Sequence, residues 1–363
     1  RTILAVAAAA VVLAGCTSTT SSDSSSAAPQ GNRAVVLVSG GGTSTPFTTP
    51  TQACKDGEGY QAAGNTYTDI RAYLLEMGKQ VYTAPVMDQW GPVQDPTDDR
   101  PGPFTDCPIV LPEAMTIMST GDLSAGGERL ARFLGYLNTE YGITDMDIVG
   151  HSNGGLWSRS AIWVLKNTDS PITVRSLTMM GTPNNGSVPG RYTVGEITLD
   201  DCAGNAYCEQ ALKSWIPLAE KLDRGLNAED TQKYLDGPGG WNAAQGNALD
   251  GIPVTLIAGT YFEEPGGNPT VWPYDGTVAR YSVFGTDIPD AIMPWRTCWE
   301  APLLHTIYQS AALNLPWDTA MTHNTEAIAR VNHLIAPFND PKVRAAYLGA
   351  DDNDELMNAA LAA

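Results

Sequence analysis

Residues 147–156, DIVGHSNGGL, limit what this chain can fold into more than any other stretch. Residues 145–150 read as a strand whose apolar pair Ile148-Val149 enters a turn of small residues, with Ser152 set between Gly150 and Gly154, and residues 156–165 then read as a helix. A strand that feeds a tight turn and then a helix is the unit of a parallel sheet. The pattern recurs along the chain. AVVLV at residues 34–38 is a continuous, β-branched apolar run, as expected of a strand buried on both faces, and it stops at Ser39-Gly40-Gly41-Gly42. Residues 69–77 have helical spacing up to Gly78, and residues 80–85 can form the next strand. Residues 124–141 place Leu130, Phe133, Leu134 and Leu137 on one helical face. Strands follow at 172–180 and 253–258, and a late amphipathic helix at 325–335. Strands alternating with helices predict an α/β fold, a mostly parallel sheet with helices on both faces.

The 363 residues carry 40 acidic against 21 basic side chains, a net charge of -19, which argues against a nucleic-acid partner because phosphates demand a basic surface. At the N-terminus, the apolar run ILAVAAAAVVLAGC is too short to span a bilayer as a stable helix and ends in Leu13-Ala14-Gly15-Cys16. Small residues before the cut are what signal peptidases accept, and a cysteine after Leu-Ala-Gly resembles the lipobox of bacterial lipoproteins. That resemblance implies a signal peptide over 1–16, lipidation of Cys16, and an extracytoplasmic protein anchored to the cell membrane. Residues 17–33 are rich in Ser and Thr and too poor in large apolar side chains to order themselves, as in a tether. The other cysteines suit an oxidising compartment: Cys202 and Cys208 are placed to close a small loop, Cys54 and Cys107 flank a loop-rich region, and Cys298 is left over. No CxxC and no paired histidines at ligand spacing point to a metal.

A serine hydroxyl needs a base, a group to orient that base, and N–H donors for the developing oxyanion. A strand–turn–helix with glycine at both flanks suits a nucleophile such as Ser152. Here the chain resembles the α/β-hydrolase superfamily, and within it bacterial lipases and carboxylesterases. GHSNGG at 150–155 looks like the nucleophile elbow. VVLVSGGG at 35–42 resembles the lipase strand that ends in His-Gly, with Ser39 in place of the histidine. GTPNNGS at 181–187 and DGTV at 275–278 resemble the segment after the next strand and the turn that carries the triad acid. The likeness covers about residues 34–338, with 187–251 as a candidate cap or lid insertion and 339–363 as a C-terminal tail.

The resemblance implies a serine hydrolase acting on carboxylic esters through an acyl-enzyme. Ser152 is the nucleophile and Asp275 the acid, with Asp287 and Asp290 as fallbacks. The base is expected at His323, which precedes the last helix, with His305 as the alternative. The oxyanion donors are the N–H groups of Asn153 and of Gly41, with Gly42 next to it. His151 is expected to pack beside the oxyanion loop, and His333 to be structural. An ester or lipid substrate, a monomer, and neither metal nor organic cofactor complete the expectation. Acyl transfer, polyester hydrolysis, or a lipoprotein that keeps the scaffold for binding alone are the alternatives.

Overall fold

A computed structural model describes residues 32–54, 63–87, 107–221 and 231–335. The expected signal peptide, Cys16, nearly all of the tether, the C-terminal tail and part of the insertion lie outside the described residues.

The elements in chain order begin with β1 (Arg33–Val38), α1 (Gly64–Glu76), β2 (Val81–Thr83), β3 (Val86–Met87), β4 (Ile117–Met118) and α2 (Leu123–Tyr141). Next come β5 (Asp145–His151), α3 (Asn153–Lys166), β6 (Thr173–Met180), α4 (Val188–Thr193), α5 (Ala206–Lys221), β7 (Val254–Gly259) and β8 (Arg296–Ala301). Short helices and the final helix, Thr325–Ile335, complete the described chain. Six strands form one sheet in the order β2-β1-β5-β6-β7-β8, and every pairing is parallel. This is the expected α/β fold.

Each strand sends alternate side chains to opposite faces, and both faces are covered. From β1, Ala34, Val36 and Val38 join a core under α2 and α3, which contribute Phe133, Leu134, Trp157 and Ile162. Val35 and Leu37 join a second core with Tyr67, Ile70 and Leu74 of α1 and with Ile328 and Val331 of the last helix. The β1 run is therefore continuously apolar because neither face meets water.

The chain leaves β1 for β2 on one side and returns to β5 on the other, so the strand order reverses between β1 and β5. Crevices at the carboxyl ends of such strands are where open α/β sheets bind ligands. Gly40 and Gly41 follow β1, and Ser152 follows β5. At the opposite end, Asp147 is buried, accepting two hydrogen bonds from the Arg33 guanidinium at 2.7 and 2.8 Å and one from Ser176 at 2.6 Å.

Two features depart from the sequence reading. The strand β8, RTCWEA, was not expected. It is an edge strand, so only one side is paired, and its burial alternates between half-buried and exposed residues instead of running apolar. Cys298 lies in it, outside both disulfides. Those two disulfides are the expected pairs, Cys54–Cys107 and Cys202–Cys208. Within 187–251, Cys202, Cys208, Leu212 and Val188 form a third, separate core with Val271, Trp272 and Tyr274. No helix among the described residues is long and apolar enough to cross a membrane.

Candidate active site

Ser152 sits between β5 and α3 at φ 54° and ψ -134°, a left-handed conformation rare for a residue with a side chain. Holding it costs on the order of 1–3 kcal/mol, so the surroundings must enforce it. The Ser152 N–H donates to the Met180 carbonyl at 2.8 Å, and its carbonyl accepts from Gly155 at 3.0 Å. The flanking glycines are required by close approach. A Cβ at Gly150 would lie 2.6 Å from the Gly155 backbone, and one at Gly154 would overlap the Val38 carbonyl oxygen. The loop after β1 touches the serine directly: a Cβ at Gly40 would overlap the Ser152 side chain.

The residue beside Asp275 is His305. Its Nδ1 lies 2.7 Å from Asp275 Oδ2, both side chains being buried. The other carboxylate oxygen, Oδ1, accepts from the backbone N–H groups of Thr277 at 2.9 Å and Val278 at 2.7 Å. That accounts for the DGTV turn: it folds its own amides onto the carboxylate and leaves one oxygen for the imidazole. The His305 backbone is held as well, its N–H donating to the Asp275 carbonyl at 2.9 Å. His305 Nδ1 engages Asp275, so Nε2 is the nitrogen left to exchange a proton.

The expectation that His323 partners Asp275 is corrected by this geometry. His323 is buried with Nδ1 3.0 Å from Thr322 Oγ1 and Nε2 4.0 Å from Asp69 of α1, and Trp317 packs edge-on at 5.5 Å. Burial lowers its pKa, against a smaller opposing pull from Asp69. Both histidines precede helices, which is why position along the chain did not separate them. Each is followed by a capped helix start, Thr306 with Gln309 before Ile307–Ala312 and Asn324 before Thr325–Ile335, so no local signal ranks them.

His151 buttresses His305. Its Nε2 donates to the His305 carbonyl at 2.9 Å, and the two rings lie 4.6 Å apart. A carbonyl only accepts, so Nε2 carries the proton and Nδ1 does not. Burial, then the neighbouring His305, pushes the His151 pKa well below its ordinary value, so the ring is neutral.

Ser152 and His305 line one cavity of about 170 Å³, together with Gly40, Gly41, Asn153 and His151. Pro183, Ser187, Thr277, Val278 and Trp215 form other parts of its wall. Asp275 stands behind His305. Asn153 is the first residue of α3, so its N–H has no intrahelical acceptor and lies at the positive end of the helix dipole. The Gly41 N–H meets no backbone acceptor among the described residues, whereas the Gly42 N–H reaches the Ser119 carbonyl at 3.3 Å. Ser39, standing where the resemblance leads one to expect histidine, bonds Thr45 Oγ1 at 2.6 Å, and Thr43 Oγ1 donates to the Gly40 carbonyl at 2.6 Å. Hydroxyls therefore hold this loop in shape.

The GTPNNGS segment supplies Pro183 and Ser187 and is tied down from behind. Asn184 accepts from Arg159 at 3.1 Å and donates to the Val283 carbonyl at 2.8 Å, and Asn185 donates to Asp236 at 2.6 Å. Arg159 is fully buried, which lowers its pKa to about 9. Trp215 was read as part of a candidate lid; its place on the cavity wall is a tertiary fact with no local signature. A larger hollow of about 630 Å³ between α2 and α3 has neither histidine nor cysteine in its lining, so size alone does not mark the site.

Residues 119–228 match the family described as "Alpha/beta hydrolase of unknown function (DUF915)". No curated protein matches the sequence. Among solved structures, a Bacillus licheniformis lipase in its mature form is 14% identical, with 81% of this chain and 96% of that one aligned at a TM-score of 0.43. A lipase-esterase related protein from Clostridium acetobutylicum is 10% identical over 85% and 95%, at 0.42. A Pyrococcus furiosus esterase is 11% identical over 85% and 83%, at 0.41.

Proposed function

We propose that this member of the α/β-hydrolase superfamily is a serine hydrolase that cleaves carboxylic esters with Ser152, His305 and Asp275 as its triad. One observation carries the reading: His305, held 2.7 Å from Asp275, lines the same cavity as the strained Ser152. In this reading Ser152 Oγ attacks the ester carbonyl while His305 Nε2 takes its proton. The N–H groups of Gly41 and Asn153 hold the tetrahedral oxyanion. Collapse expels the alcohol, which leaves with the proton from His305. Water, deprotonated by the same nitrogen, then releases the acid and restores the serine. Asp275 keeps the proton of His305 on Nδ1 in the resting state and stabilises the imidazolium that forms.

We also keep the lipid anchor at Cys16 as a proposal. The two disulfides are consistent with export to an oxidising compartment. The reading is tested with a fluorophosphonate probe and mass spectrometry of the labelled peptide. Labelling at Ser152 that disappears in Ser152→Ala is the expected result. An unlabelled wild type, or equal labelling of the variant, removes the hydrolase assignment.

A further inference from the structure

We propose that the site selects esters of short acyl groups, about four carbons or fewer, and that Trp215 sets this limit. The inference rests on the ester-hydrolase reading and goes beyond it to the substrate and to the residue that chooses it.

The cavity that contains Ser152 and His305 has a volume of about 170 Å³. Drug-sized ligands occupy roughly 300–1,000 Å³, whereas a protein cavity of ~150 Å³ accepts a guest the size of benzene, about six non-hydrogen atoms. A butyryl group with its carbonyl and ester oxygens is about that size. An octanoyl group adds four more methylenes, more than about 170 Å³ encloses, so its tail would have to leave the cavity. The leaving alcohol needs none of it if it points outward.

Trp215 is the largest side chain on the wall and the one contributed by α5. Apart from Pro183 and Ser187, which are smaller, the other walls belong to segments that also build the proposed catalytic apparatus. Thr277 and Val278 send their amides to Asp275, Gly40 and Gly41 form the loop against Ser152, and Thr306 follows His305. Changing those residues would disturb the chemistry. Trp215 is separable from it, because its buried indole nitrogen makes no hydrogen bond. Replacing it removes volume and leaves no polar partner stranded.

The position of Trp215 is well determined. Cys208, Leu212 and Trp215 stand at i, i+4 and i+7, one face of α5. Cys208 is joined to Cys202, and both cysteines with Leu212 pack against Val271, Trp272 and Tyr274. Trp272 adds a hydrogen bond from its indole N–H to the Asp201 carbonyl at 2.8 Å. The disulfide and this small core fix the register of the helix, and the register carries Trp215 to the cavity.

The test compares kcat/KM for p-nitrophenyl acetate, butyrate, octanoate and decanoate in the wild type, Trp215→Ala and Trp215→Leu. Leucine keeps an apolar, helix-compatible side chain and serves if the alanine variant does not melt cooperatively by circular dichroism. The wild type should favour acetate or butyrate over octanoate by about tenfold or more, since single methylenes are worth about ten- to two-hundredfold in a fitted pocket. Each variant should raise the octanoate-to-butyrate ratio by about tenfold. A small ethyl fluorophosphonate is run in parallel. Labelling of Ser152 together with a wild-type preference for octanoate or decanoate overturns the acyl-length proposal alone. An unchanged ratio in both folded variants overturns the role of Trp215. No labelling at all, with no ester turned over, removes the hydrolase reading and this proposal together.

Discussion

Replacing Asp275 with asparagine is the sharpest probe of the triad, because the local hydrogen bonds dictate how the amide must sit. Oδ1 accepts two backbone N–H groups, from Thr277 at 2.9 Å and Val278 at 2.7 Å, and Oδ2 faces His305 Nδ1 at 2.7 Å. An asparagine that turned its NH2 toward the two amides would oppose donors to donors and strand both. The favoured orientation therefore keeps the carbonyl oxygen on Thr277 and Val278 and points the NH2 at His305. Nδ1 must then accept, so the proton of the neutral ring moves to Nε2, the nitrogen that should receive the serine proton. The base is present in the wrong tautomer. A loss of kcat on the order of ten thousandfold is expected, the size of effect known for an acid-to-amide change in such triads. That corresponds to about 5.4 kcal/mol of transition-state stabilisation. Stability should change little, because both backbone donors stay paired. Asp275→Ala, in contrast, strands them, at about 1–3 kcal/mol for each buried group. The assay is p-nitrophenyl acetate hydrolysis beside thermal melts of wild type, Asp275→Asn and Asp275→Ala. A kcat for Asp275→Asn within tenfold of wild type, with the fold intact, would refute the tautomer argument and the role of Asp275.

The histidines separate by function: His305→Ala should lose nearly all turnover, whereas His323→Gln should keep it within a few-fold in the same assay. The reverse result would restore His323 as the base. Acid should destabilise the fold through His151 and His323, whose pKa values burial depresses. Below about pH 6.5 the unfolded chain binds protons that the native state refuses, so unfolding free energy falls with pH by up to ~1.4 kcal/mol per unit for each ring. His323→Gln should flatten this acid limb in urea melts at pH 5 to 7, and an unaltered slope would count against a neutral buried His323. In cells, Cys16→Ala should release the protein from membranes; retention would remove the proposed anchor.

The parts legible in the sequence are those where one local rule decides. β1 read as a strand because both faces are buried, so an uninterrupted apolar run is its signature, and β5 because it leads directly into the Gly-x-Ser-x-Gly turn. The elbow at Ser152 was legible because close backbone approach demands Gly150 and Gly154. β8 was not, since an edge strand with alternating exposure and a polar sequence resembles a loop. The histidine partner of Asp275 is not legible because the pairing depends on which loop returns to the end of β7. The chain brings Leu304 and Ala320 side by side, so residues 305 and 323 compete within one small region. Sequence order cannot rank neighbours that close, and helix capping follows both, at Thr306 and at Asn324. Trp215 gave no sign of its place, because a helix face shows only that a residue is apolar on one side and not what lies opposite.

The three separate hydrophobic cores bear on how such a protein could change over time. Two of them hold the sheet and, with it, the loops that carry Gly41, Ser152 and Asn153. The third joins residues of the insertion to Val271, Trp272, Tyr274 and Ala279 around the Asp275 turn, and α5 extends from it to place Trp215 on the cavity wall. Substitution at Trp215 itself leaves both cores beneath Ser152, and the turn that holds Asp275, unchanged in sequence. In the proposed reading, selectivity at Trp215 and reactivity at Ser152 lie in different stretches of chain, so an ancestor could explore new esters by altering α5 without touching the elbow.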